Sequence, residues 1–215
     1  SDLSKVIEFS NKSLDSFGID KIQALDMLAL YGDMATGMGL STKKASDMSM
    51  TLTQLAGDLA SFKNISSEQA QTALSGIFTG ETESLKRLGV VMTEANISSY
   101  LASKGITQSF KDMSQSDKVL TRFNFVLDAS KNSLGDFVRT QDSFANSKRI
   151  FIGSIKESAA SLGDILRPVV TKLMQAMTGL LKSFIEFSKT PFGKYVLQFT
   201  VVVGGLILAL GILSV

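Results

Sequence analysis

The 215-residue sequence contains no cysteine and no histidine. Without cysteine there are no disulfides and no thiolate metal sites. Without histidine, the commonest general base and the commonest zinc ligand are missing. Proline occurs only at Pro168 and Pro191, and aromatic residues make up 8%. Few segments are rich in β-branched or aromatic side chains. Alanine, leucine, serine, lysine and methionine dominate instead, which favours an all-α protein. The length suffices for one sizeable core or two small ones.

Charge is nearly balanced overall, at a formal net of +2. Residues 1–146 hold 14 basic and 17 acidic side chains, and residues 147–215 hold 8 and 3. So modest a basic excess reads as a solvated helix face rather than a nucleic-acid groove. Hydrophobic residues reach 44%, with a mean hydropathy of +0.20. The chain opens at Ser1 without Met and closes at Val215 inside an apolar run. Both ends read as cut, so a fragment of a longer polypeptide is expected.

Local signals divide the chain into helices. A first helix is expected over 1–17, broken by Gly18, with Asp20 capping a second over 20–38. Ser41 caps a helix over 42–62, where Ala45, Met48, Leu52, Leu55, Leu59 and Phe62 recur in steps of three and four. Asn64 ends it, and Ser66 or Ser67 with Glu68 caps the next. Short helices over 93–103 and 106–112 flank Gly105. Ser114 with Asp117 caps a helix over 115–132, and Gly135 breaks it.

The expected domain organisation is a multi-helix globular region (1–135), a long heptad-patterned amphipathic helix (136–190) and a terminal hydrophobic helix of membrane length (191–215). In the middle region Ile152, Ile155, Ala159, Leu162, Leu166, Val169, Leu173, Ala176 and Leu180 alternate steps of three and four. That is a seam for packing against another helix or symmetry copies, or against one globular core. Pro168 should kink that helix or end it near Arg167. Thr190-Pro191 signals a new start. Residues 196–215 then carry no charge and, at about 1.5 Å per residue, would span about 30 Å, a bilayer core. Gly205 and Ala209 form a small-xxx-small pair suited to close helix packing. A helix buried in a large assembly would read the same way.

The stretch SGIFTGETESLKRLGVVMTE, residues 75–94, sets a charged segment between glycines. Glu81 and Glu83 suggest paired acid–base carboxylates, but a spacing of two puts them on different sides of a helix. First-turn acids, with Lys86 and Arg87 in the last turn, are the simpler account. No zinc, P-loop, dinucleotide or hydrolase motif is present. The reading is no catalytic, cofactor or metal residue, and no enzyme.

Residues 55–90, LAGDLASFKNISSEQAQTALSGIFTGETESLKRLGV, resemble the conserved region of phage tail tape measure proteins. The match rests on Asp58, Phe62, Gly76, Gly80, Glu81, Glu83 and Gly89. Lys118 and Arg122 continue it, followed by Gly135, Asp136, Phe137 and Asn146 in GDFVRTQDSFANSKR and by Pro168 in SLGDILRP. Together the matches cover about residues 55–168. Ser84 departs from the pattern, since proline is frequent there.

The resemblance implies a virion structural protein of the tail lumen and tail tip, assembled in the host cytoplasm. Such proteins set tail length during assembly and assist DNA ejection through the host envelope. The implied partners are further copies of itself, with a trimer preferred over a hexamer, and tail tube and baseplate hub proteins. The host inner membrane is a partner on infection, and DNA is met only by proximity in the lumen. The alternative is a membrane-active pore-forming or translocation protein unrelated to a tail.

Overall fold

A computed structural model describes residues 2–196 together with 198 and 199. The described residues are all-α, without a strand. The chain divides into two units, Ser1–Ala159 and Ala160–Val215.

In the first unit the expected opening helix is two, α1 (Asp2–Asn11) and α2 (Ser13–Phe17). Gly18 ends α2 in the left-handed conformation, at φ 70°. Then come α3 (Lys21–Gly37), α4 (Thr42–Lys63), α5 (Ser67–Thr79), α6 (Glu83–Lys86) and α7 (Glu94–Ser103). After a 3-10 turn at Phe110–Asp112 follow α8 (Gln115–Ala129), α9 (Asp136–Arg139) and α10 (Phe144–Lys189).

Serine and aspartate side chains set most of the starts. Asp20 accepts from the Gln23 N–H, Ser41 from Lys44, and Ser114 from Asp117. Each satisfies one of the N–H groups that a helix start leaves unpaired. At α5 the cap is Ser66, and the reciprocal partner is Gln69 rather than Glu68. Asn64 closes α4 at φ 52°.

The core of this unit forms where α3, α4 and α5 meet. Met27, Tyr31, Leu52, Leu55, Leu59, Leu74, Ile77 and Phe78 are buried in it. The Tyr31 and Phe78 rings stack at 6.0 Å, and the Tyr31 hydroxyl donates to the Gln71 carbonyl at 3.1 Å. The α4 stripe packs inward as its spacing indicates, except at its last member: Phe62 is 46% exposed. On α3 the buried set is Ala24, Met27, Leu28, Tyr31 and Ala35, while Ile22 and Leu25 are exposed.

Three expected boundaries differ. Over 106–112 only Phe110–Asp112 turns, and Gln108 Nε2 bonds the Asp112 carbonyl instead of supporting a helix. Helix α8 stops at Ala129, because Lys131, Asn132 and Ser133 fold into turns. The long helix begins at Phe144, where Ser143 Oγ accepts from the Asn146 N–H at 3.3 Å; residues 136–139 form a separate short helix.

In the second unit α10 runs through Pro168 to Lys189 and does not end at Arg167. Proline removes one backbone bond, to the Asp164 carbonyl, and the flanking bonds carry the helix. Helix resumes over 191–196, capped by Thr190, whose Oγ1 accepts from the Gly193 N–H at 3.0 Å. The Phe187 and Phe192 rings meet edge to face at 6.2 Å.

Candidate functional site

The GETES segment is built on close approach. Gly76, inside α5, faces the returning chain: a Cβ there would lie 2.2 Å from the Glu81 carbonyl oxygen. Gly80 turns the chain at φ 81°, and Gly89 turns it again at φ 83°. Between them Leu85 and Leu88 enter the core, and Ser84 Oγ donates to the Ala73 carbonyl at 3.3 Å. The Arg122 guanidinium donates to the Ile77 carbonyl at 3.3 Å and lies over the Phe110 ring.

Helix α6 starts at Glu83, so Glu81 sits in the turn before it, and Thr79 Oγ1 accepts from the Glu81 N–H. Thr82, at the N-cap, makes no side-chain cap bond. Glu83 pairs with Lys86 at 2.7 Å in solvent. Both glutamates line an open cleft of about 600 Å³ with Glu68, Lys86 and Arg87. Among the described residues no group of acidic side chains could hold a metal ion.

The second site joins residues far apart in sequence. The buried Asp58 carboxylate accepts the Gly135 N–H at 2.8 Å and the Phe137 N–H at 3.2 Å. Burial pushes the Asp58 carboxyl above the usual aspartate range, against the two N–H groups that hold it down. Phe137 is fully buried in the core.

Next to it, Ser61 donates to Asp136 Oδ2 at 2.7 Å, and Asn146 Nδ2 donates to Ser61 Oγ at 2.9 Å. The Thr140 hydroxyl donates to the Asp136 carbonyl at 2.8 Å. Arg149 completes the cluster. It donates to the Ala60 and Ile65 carbonyls, both at 2.8 Å, and to Asn146 Oδ1. The Ala60 carbonyl, in the last turn of α4, also accepts the Ile65 N–H at 3.1 Å, and the Ile65 carbonyl lies just past the helix end. The two sequence blocks DLASF and GDFVRTQDSFANSKR therefore meet in one polar clamp. Asp58, Asp136, Phe137 and Asn146 are buried in it, and Phe62 points outward.

Helix α10 shows an unusual polarity. Within residues 144–159 the side turned to the protein carries Asn146, Arg149, Ile150, Gly153 and Glu157. Phe144 (87% exposed), Phe151, Ile152 and Ile155 face solvent. Amphipathic helices ordinarily dock by their apolar stripe. Ala159 is exposed, and over 160–189 so are Leu162, Leu166, Val169, Leu173, Ala176 and Leu180. So too are Ile165, Val170, Met174, Met177, Leu181 and Phe184, which widen the stripe beyond a two-position seam.

Gly205, Ala209 and nearly all of the 196–215 run lie outside the described residues. Among the described residues no helix is long and apolar enough to cross a membrane. Ser61, Thr140 and Arg149 fall inside the resembling blocks, but their contacts were not read from the sequence. A serine and a threonine carry no distinctive signal, and only Arg149, one turn after Asn146, offered one. No family model, curated protein or solved structure matches the chain.

Proposed function

We propose that this chain is a segment of a phage tail tape measure protein: a structural component of the tail lumen and tip that sets tail length and assists DNA ejection. The observation that carries the reading is the clamp. Two of the resembling blocks, 55–62 and 135–149, are the segments that Asp58, Ser61, Asn146 and Arg149 tie together. Caps, close glycines and a buried clamp suit an architectural protein.

The outward apolar stripe of α10 supports self-association and docking to tube and hub proteins; the preference for three copies over six comes from the resemblance alone. The terminal apolar run supports contact with the host membrane on infection. Mass spectrometry of purified virions tests the assignment: peptides of this chain are expected in tail particles, and their absence overturns it.

A membrane-active protein without a tail is the second reading. It is favoured by the exposed stripe of α10 flanked by Arg167, Lys172, Lys182 and Lys189. It predicts tight binding of the isolated chain to anionic liposomes and no particle containing it.

A further inference from the structure

We propose that residues 144–159 form a releasable strap: the first four turns of α10 detach from the helical body as a unit while the body stays folded. The inference rests on the geometry of residues 1–159 and stands whether or not the chain belongs to a tail.

The strap is held by polar groups. Asn146 and Arg149 engage Ser61, Ala60 and Ile65 at the end of α4. Further along, the Lys21 N–H donates to Glu157 Oε1 at 2.7 Å, and Lys156 lies 3.5 Å from Asp20. Between these anchors Gly153 lets the helix lie against Leu14; a Cβ there would stand 2.4 Å from Leu14 Cδ1. Of its apolar side chains only Ile150 packs on the core, and that one partly. By contrast α4 is fixed by Leu52, Leu55 and Leu59, all buried. Segments with few buried apolar contacts open at low free energy, ahead of global unfolding. Lys156 is half exposed, so salt also weakens its pair with the buried Asp20 carboxylate.

The clamp divides at the Thr140–Ser143 turn. Asp58 holds Gly135 and Phe137 on its near side, and Phe137 is anchored in the core. Asn146 and Arg149 lie on its far side. Lifting the strap breaks the second set and leaves the first, so a pull along α10 is relieved at this turn before it reaches the core.

The chain has no cysteine, so pairs of introduced cysteines take spin labels without background. The test is the distance between labels at Asp15→Cys and Ser154→Cys, both exposed sites, by pulsed electron paramagnetic resonance. A control pair at Asp47→Cys and Thr72→Cys reports on the body. Between about 0.01 M and about 1 M salt the screening length falls from roughly 30 to 3 Å. A second, longer 15–154 distance is expected to grow with salt while the control stays single. Arg149→Met should raise the ratio of open to closed by about tenfold, the effect of losing charged hydrogen bonds. A single 15–154 distance under every condition overturns the proposal. So does lengthening that appears only when the control pair broadens with it.

Discussion

Asp58 on α4 accepts hydrogen bonds from the backbone N–H groups of Gly135 and Phe137, 77 and 79 residues further along the chain. One carboxylate thus fixes the turn that leads into α9 and seats Phe137 in the core. Asp58→Ala leaves two buried N–H groups without acceptors, each costing about 1–3 kcal/mol. The expected loss, read by urea denaturation, is about 2–6 kcal/mol. A loss below about 1 kcal/mol would contradict the clamp.

The same carboxyl sets a pH dependence. Burial raises its pKa in the folded state, so the folded protein binds this proton more readily than the unfolded chain does. Its contribution to stability therefore falls as pH rises from the ordinary aspartate value through the raised one. Relative to Asp58→Asn, the wild type should gain stability on acidification from pH about 7 to about 4.5. Parallel stability curves for the two proteins would remove this account.

At Gly76 a side chain would meet the Glu81 carbonyl oxygen at 2.2 Å, and that atom is backbone. Gly76→Ala is expected to cost about 1–3 kcal/mol, as overpacking does, and to lower the melting temperature. Glu81→Gln with Glu83→Gln should leave it nearly unchanged, since both side chains are exposed and Glu83 has only a surface ion pair.

The α10 stripe predicts association. Leu166 and Leu173 are both more than half exposed. Burying each against another copy stabilises by about 1.5–3 kcal/mol. Leu166→Lys with Leu173→Lys should shift sedimentation profiles toward the monomer while far-ultraviolet circular dichroism stays helical. Unchanged profiles would place association elsewhere.

What the sequence revealed was local. Asp20, Ser41, Ser66, Ser114, Gly18 and Asn64 mark helix ends because each acts on backbone groups a few residues away. The buried face of α3 was not legible: Ile22, Leu25, Leu28, Leu30 and Tyr31 surround the helix, and periodicity cannot choose among apolar sides. Nor was the docking of α10. Its apolar spacing indicated a packed seam, but the side that meets the body holds Asn146, Arg149 and Gly153. The Asp58 link to Gly135 and Phe137 is a contact between distant backbone and side chain, which no local pattern encodes.

The most direct test of the tape measure reading is tail length after in-frame deletion of helical segments from the full gene. Tails are expected to shorten by about 1.5 Å for each helical residue removed, and tails of unchanged length would contradict the assignment.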